Sequence, residues 1–204
     1  MIKNNLDSSA YNKAINKRIF IGLTVPDGIS RYFHDMISAV SSSYSCIKPV
    51  PPENIHLTLK FLGNTCVSDI DKIKSRLNNE LKEVFPFNFD IEDRIDAFPG
   101  LKNARIVYAV LGNGKEKVES IYKKTGKAVS FMNLKKENKK FIPHITIARI
   151  RDGFDFTKLI PEIKPKKFIS IKCDRVLIYE SILSEKGADY FINSEIRLKD
   201  KRER

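Results

Sequence analysis

The chain has 204 residues, of which 42% are hydrophobic and 30% charged, a composition typical of globular proteins and not of disordered ones. Its net charge of +12 favours polyanionic partners, because it raises their local concentration and association rate. The three cysteines are widely spaced, which argues against a disulfide framework and a cysteine zinc site. No apolar run approaches the roughly 18 residues of a transmembrane helix.

The ends of the chain differ in composition from its centre. Residues 1–17 lack the apolar core of a signal peptide, so they are predicted to be a disordered leader. Residues 18–198 are predicted to form a single two-lobed domain, and residues 199–204 a basic tail. The cysteine usage fits a reducing compartment, so the protein is expected in the cytoplasm. It is also expected to be a monomer without a membrane contact.

The first half of the chain alternates strand and helix patterns. Apolar residues at three- and four-residue intervals predict helices over 29–44 and 68–84, the second capped by Ser68. Between them, "CIKPVPPENI" is extended and leads into a strand that Gly63 ends. The expected buried stripes of the two helices are Ile29, Phe33, Met36, Ile37 and Val40, and Ile70, Ile73, Leu77 and Leu81.

The second half continues with more strands. Strands are predicted at 87–98 and 104–112, a helix at 115–132 and a strand at 141–150. A loop with a short helical turn follows, and then two or three strands between 168 and 198. Together with the opening strand at 18–25, this order suggests two similar halves. The predicted fold class is α+β, with two pseudo-symmetric lobes of antiparallel sheet and flanking helices around a central groove.

Two of the three histidines are each followed, two residues later, by one of only six threonines. In "NIHLTLKFLG", His56 and Thr58 share one strand face, while Leu57, Leu59 and Phe61 line the other. In "FIPHITIARI", His144 and Thr146 share a face in the same way. The third histidine, His34, lies beside a helix stripe without a matching threonine, so it is interpreted as an ordinary surface residue.

Two imidazoles facing each other across a cleft supply both an acid and a base. With an ordinary pKa near 6.5, one can stay protonated and donate while the other accepts a proton. In-line displacement at phosphorus needs both functions. A threonine hydroxyl on the same face can donate to a nonbridging phosphate oxygen. Metal binding is the competing interpretation, but neither motif supplies the third ligand typical of hydrolytic zinc sites. No cofactor is therefore expected.

The segments "PPENIHLTLKFLG" and "KKFIPHITIARI" resemble the two signatures of the two-histidine phosphoesterases, specifically the RNA 2′,3′-cyclic phosphodiesterases, also called 2′-5′ RNA ligases. The resemblance extends over nearly the whole chain from Arg18 onward. It implies metal-independent hydrolysis of RNA 2′,3′-cyclic phosphate ends to 2′-phosphates, with reversible 2′-5′ ligation in some members. It also implies that His56 protonates the departing 3′ oxygen, His144 activates water, and Thr58 and Thr146 hold the phosphate.

Two basic residues are further candidates for phosphate binding. Arg149 matches the family pattern, but strict alternation places it opposite His144, so it reaches the groove only if the strand ends or twists after Ala148. Lys60 shares the His56 face and is a candidate contact for the RNA backbone. The alternative interpretations are a surface arginine and a solvated lysine at a strand end.

Two other functions remain open at this point. The same chemistry would act on small cyclic nucleotides or oligoadenylates. A third candidate is an RNA-binding module without catalysis, against which the intact histidines and threonines count. A basic groove extending beyond the two motifs would favour a polymeric substrate, since such binding weakens steeply with salt.

Overall fold

Two antiparallel sheets and three helices make up the structure, a computed structural model that describes residues 16–135, 140–163, 169–185 and 187–199. The helices are α1 (Asp27–Ser41), α2 (Val67–Leu81) and α3 (Lys115–Ala128). The strands are β1 (Asn16–Thr24), β2 (Ile47–Pro49), β3 (His56–Cys66), β4 (Phe87–Phe98), β5 (Ala104–Leu111), β6 (His144–Phe154), β7 (Ile169–Cys173), β8 (Arg175–Ser184) and β9 (Gly187–Arg197).

The strands are divided between two sheets that do not follow the halves of the chain. The first sheet has the order β3-β1-β8-β9, and the second has the order β2-β6-β5-β4-β7. The first sheet thus combines strands from both ends of the described chain, so each lobe depends on distant segments. The predicted α+β class, with two lobes of antiparallel sheet and flanking helices, is confirmed.

The helices cover the sheets with the stripes that periodicity predicted. Helix α1 packs against β2 and β6, α2 packs against β3 and β9, and α3 packs against β3 and β4. On α2, Ile70, Ile73, Leu77 and Leu81 are all buried. A buried leucine such as Leu77 contributes about 2 to 5 kcal/mol relative to alanine. These faces fix the two lobes in one common core.

Two local predictions near α2 are wrong. The helix begins at Val67, and its cap position is Cys66, which makes no side-chain capping bond; Ser68 is therefore inside the helix and not its cap. Strand β3 also continues beyond Gly63 to Cys66. Gly63 has φ 71° where the pairing with β1 shifts register, so it permits a bulge instead of ending the strand.

Several sequence predictions concern residues outside the described ranges. These are residues 1–15 of the predicted leader and residues 200–204 of the basic tail. The domain limits stay predictions, although β1 begins at Asn16, within the predicted leader. Within the described ranges, no helix combines the length and apolarity needed to cross a membrane.

Candidate active site

Strand pairing places both His-x-Thr motifs on the groove faces of their sheets. In the first sheet, His56 pairs with Thr24, and Thr58 pairs with Gly22. Cross-strand partners point to the same face, so the predicted sharing of one face by His56 and Thr58 agrees with the register. Gly22 is required here, because a Cβ atom would lie 2.8 Å from the Leu57 carbonyl oxygen.

The second sheet repeats this arrangement. His144 pairs with Val110, and Thr146 pairs with Tyr108. His144 and Thr146 are half-buried, whereas the intervening Ile145 is fully buried. Alternation alone therefore predicted which face of each strand carries the polar groups.

A bulge in β6 moves Arg149 to the groove face. Val107 pairs with Ala148 and Tyr108 with Thr146, so Ile147 is an extra residue on β6. Both Ile147 and Ala148 are buried, and the exposed Arg149 then pairs with Ile106. Strict alternation fails because a bulge shifts the parity of the residues that follow it. The guanidinium consequently lies on the side of His144 and Thr146.

An equivalent bulge in β3 contradicts two sequence predictions. Ile21 pairs with Lys60 and Gly22 with Thr58, so Leu59 is the extra residue. Phe61 therefore leaves the core face and joins the His56 face, where it is 55% exposed. Lys60, whose partner Ile21 is a core residue, lies on the opposite face and not on that of His56.

The two groove faces enclose one open cavity of about 730 Å³. Arg18, Thr58, Lys60, Phe61, Phe141, His144, Thr146, Arg149 and Tyr190 are among its lining residues. His56 lies directly behind Thr58, because its Nε2 atom is 2.8 Å from Thr58 Oγ1. The predicted residues of both motifs, together with Arg149, thus meet at a single space, and Lys60 reaches that space from its edge.

Aromatic rings surround His56. The centroid of its ring lies 4.8 Å from that of Phe20, 5.1 Å edge-on from Tyr190 and 5.7 Å from Tyr179. Burial lowers the pKa of His56 to about 4, and the charges of Arg149 and His144 act in the same direction. Arg149 and His144 both line the cavity beside Thr58, which separates His56 from it.

His144 lies between two rings of the second sheet. The ring centroids of Phe98 and Tyr108 each lie 5.1 Å from the ring centroid of His144. Burial lowers the pKa of His144, and the charge of Arg149 lowers it further. Asp96 forms a hydrogen bond with Tyr108, whose pKa is raised to about 12, chiefly by burial. Tyr108 therefore stays a neutral wall of the site.

Backbone carbonyls fix the tautomer of both catalytic candidates. Nδ1 of His56 lies 2.7 Å from the carbonyl oxygen of Asn54, and Nδ1 of His144 lies 2.7 Å from that of Ile142. A carbonyl can only accept, so each Nδ1 carries the proton. In the neutral form each Nε2 is then unprotonated and available for proton transfer. At pH 7 both lowered pKa values make both rings neutral in the ligand-free protein, unlike the expected pair with one proton.

Several residues of the groove faces were missed by sequence reasoning. Arg18 and Phe20 are on the groove face of β1, and Tyr190 reaches the cavity from β9. Alternation along β1 carries a signal for the first two, since Arg18, Phe20 and Gly22 share one face. Only the pairing of β1 with β3 identifies that face as the groove.

Other residues with catalytic or metal-binding chemistry lie outside the cavity. His34 is half-buried on α1, where Nδ1 donates to the carbonyl oxygen of Val50 at 2.9 Å, and it is not among the residues that line the cavity. Cys46, Cys66 and Cys173 are free thiols. Across the described ranges, no group of three or more histidine, cysteine or acidic side chains is arranged to hold a metal ion.

Known proteins are similar to this chain in sequence. Two proteins named RNA 2′,3′-cyclic phosphodiesterase, from Aquifex aeolicus and Methanocaldococcus jannaschii, are each 27% identical to the chain. The alignments cover 74% and 87% of this chain, and 81% and 99% of the relatives.

Solved structures agree with these relatives at the level of the fold. A Thermus thermophilus protein superposes with a TM-score of 0.76 at 20% identity, covering 90% of this chain and 99% of its own. Escherichia coli LigT complexed with 3′-AMP superposes with a TM-score of 0.71 at 18% identity, and the superposition covers 91% of this chain and 99% of LigT. The family described as the 2′-5′ RNA ligase superfamily matches residues 26–183, more than three quarters of the sequence. The chain therefore belongs to the 2′-5′ RNA ligase superfamily, as its two His-x-Thr motifs predicted.

Proposed function

We propose that the protein is an RNA 2′,3′-cyclic phosphodiesterase that hydrolyses cyclic phosphate ends to 2′-phosphates. One observation carries the proposal: two His-x-Thr motifs from different sheets border one cavity, together with the guanidinium of Arg149. The names of the relatives give the substrate class. The net charge of +12 is favourable for an RNA substrate.

The reaction requires two proton transfers at one phosphorus atom. His144 Nε2 accepts a proton from water as the water oxygen bonds to phosphorus. His56 Nε2 delivers a proton to the 3′ oxygen as the bond between phosphorus and that oxygen breaks, and this leaves a 2′-phosphate. Each transfer contributes roughly 10² to 10⁴ in rate. Both rings are held for this role by the carbonyls that accept from Nδ1.

The substrate itself supplies the conditions for protonating His56. Its pKa of about 4 in the ligand-free protein results mainly from burial, with a smaller effect of Arg149. A phosphodiester brings a negative charge, which favours the imidazolium and pairs with Arg149. Binding therefore raises the pKa of the acid at the moment when its proton is needed.

Thr58 couples this protonation to phosphate binding. While His56 is neutral, its Nε2 accepts the hydroxyl proton of Thr58 across 2.8 Å. Protonated Nε2 can no longer accept, so the hydroxyl is released to donate to a phosphate oxygen. Thr146 and Arg149 contact the phosphate from the second sheet, and a guanidinium can form two parallel bonds to it. Charge developing on phosphorus is thus met from both lobes.

This chemistry needs no metal ion, because the two imidazoles perform both proton transfers. The same two imidazoles also allow 2′-5′ ligation, in which a 5′ hydroxyl replaces water: its oxygen bonds to the phosphorus of the cyclic phosphate as the bond to the 3′ oxygen breaks. The step is reversible, because the freed 3′ hydroxyl can attack the 2′-5′ linkage and regenerate the cyclic phosphate and the 5′ hydroxyl. Activity unchanged after treatment with EDTA is the expected result. Loss of activity that added zinc restores would contradict metal independence.

The decisive experiment compares substrates and products. Purified protein is incubated with an RNA oligonucleotide ending in a 2′,3′-cyclic phosphate and with 2′,3′-cyclic AMP, and the product isomer is identified by phosphorus NMR. The 2′-phosphate is the expected product of both. Exclusive formation of the 3′-phosphate would reverse the assignment of the leaving oxygen, and no turnover of either substrate would overturn the proposed function.

A further inference from the structure

A second cavity of about 550 Å³ lies beside the first, between β3 and the carboxyl end of α3. Its walls come from Lys60 on β3, Tyr122 on α3, and the segment that follows this helix, including Ser130, Asn133 and Lys135. The proposed hydrolysis at the two histidines makes no use of this space.

The two cavities share a boundary. Lys60 lines both of them. Tyr122 lines the second cavity and Phe141 the first, and their rings are stacked with centroids 3.9 Å apart and planes 1° from parallel. Lys60 Nζ lies 6.0 Å from the centroid of Tyr122. A polymer that leaves the first cavity along this wall therefore passes a cation and an aromatic pair, the combination that single-stranded nucleic acid prefers.

The charge of the second cavity suits a phosphate. Among its described lining residues, Lys60 and Lys135 are charged and none is acidic. The carboxyl end of α3 would repel an anion, but Arg76 offsets it. The Nε atom of Arg76 donates to the carbonyl oxygen of Ala128 at 2.7 Å. A second nitrogen of this guanidinium lies 3.4 Å from the carbonyl oxygen of Lys127.

We propose that the second cavity binds the RNA chain on the 5′ side of the terminal nucleotide. Lys60 and Lys135 contact the next phosphate, while the Tyr122 and Phe141 pair supports a base. This inference rests on the proposed function, because it assumes that the terminal cyclic phosphate occupies the first cavity. It makes a single-stranded oligonucleotide, and not a cyclic mononucleotide, the preferred substrate.

The test measures kcat/KM for 2′,3′-cyclic AMP and for oligoadenylates of two to five residues that end in a 2′,3′-cyclic phosphate. We expect kcat/KM to rise about tenfold between one and three residues and then to level off. Lys135→Gln should lower kcat/KM about fivefold more for the trinucleotide than for the mononucleotide, mainly through KM. The slope of log kcat/KM against log salt should become shallower by about 0.7, as for one lost contact to a single strand.

Lys115→Gln provides the matched control. The variant loses the same charge as Lys135→Gln, but Lys115 is exposed at the opposite end of α3. The kcat/KM values for both substrates should therefore stay unchanged. Hydrolysis of mononucleotide and trinucleotide at equal rates would overturn this inference and leave the proposed function standing. Equal losses in the Lys135 and Lys115 variants would overturn it as well, since they would indicate a general charge effect. Failure of all substrates would overturn the proposed function first.

Discussion

The two halves of the site are built by the same device and differ at one position. Each strand presents histidine, threonine and then, after a one-residue bulge, a third side chain on the groove face. That third residue is Phe61 in the first sheet and Arg149 in the second. The duplicated motif places one histidine and one threonine on each groove face, while the residue after the bulge is aromatic in one lobe and cationic in the other.

Both imidazoles lie among aromatic rings, three around His56 and two around His144. His56 is surrounded by Phe20, Tyr179 and Tyr190, and burial holds its pKa at about 4. Arg149, although it belongs to the opposite lobe, lowers the pKa of both histidines. Burial is the larger cause of both lowered pKa values, and the charge of Arg149 adds to it in both halves of the site. This asymmetry can be tested by changing one lobe at a time.

The largest expected effect is the loss of either histidine. His56→Ala and His144→Ala should each lower kcat/KM for a cyclic phosphate RNA end by about 10³-fold or more, because each removes one proton-transfer role. Measurements of initial rates, with circular dichroism to confirm folding, check this prediction. His34→Ala is the matched control and should stay within about twofold. Normal rates in either of the first two variants would end the acid and base assignment.

Substitution of the residue after each bulge should have a different kinetic effect in each lobe. Arg149→Gln should lower kcat by about 10²-fold, because it removes a charged donor to the developing phosphorane. Phe61→Ala should instead raise KM by a few fold, since it removes apolar surface from the cavity wall. Steady-state kinetics on one oligonucleotide distinguish these effects. Similar changes in KM for both variants would contradict a difference in role.

The buried histidine in the first lobe should make stability depend on pH. Its pKa is about 4 in the folded protein and near 6.5 in the unfolded chain. The unfolded state therefore binds the proton first as pH falls, and stability is lost between pH 6.5 and 4. The loss is about 3 kcal/mol. Urea unfolding of wild type and His56→Gln at both pH values isolates this contribution, which should be missing in the variant; parallel curves would refute it.

The smallest effect concerns the position of the pH profile. Removing the positive charge of Arg149 raises the pKa of both histidines, so both limbs of the kcat/KM profile should move to higher pH in Arg149→Gln. Profiles measured between pH 4 and 9 check the direction. Arg105→Gln is the control, because Arg105 is exposed and precedes Ile106, so by alternation it points away from the groove. The limbs of the kcat/KM profile of this variant should not move. A shift of only one limb would indicate that Arg149 faces one histidine alone.

Much of the scaffold and half of the site could be predicted from local patterns. The stripe of Ile70, Ile73, Leu77 and Leu81 needs only the helical period, and the limits of β4 need only alternation and the adjoining turn. The cap of α2 and the end of β3 were predicted less well. Serine is a common helix cap and glycine a common strand end, but β3 continues directly into α2, so Ser68 lies inside the helix and Gly63 lies at a bulge.

The sequence by itself determined that His56 and Thr58 share a face, and that His144 and Thr146 do, because side chains alternate in any extended strand. Tertiary structure decided that Arg149 and Phe61 join the groove faces, and that Lys60 lies on the opposite face of β3 and reaches the cavity only from its edge. A bulge depends on how a strand pairs with its neighbour, and the partners β1 and β5 are far away along the chain. The depressed pKa of His56 was decided in the same way, since its burial comes from aromatic rings on three other strands.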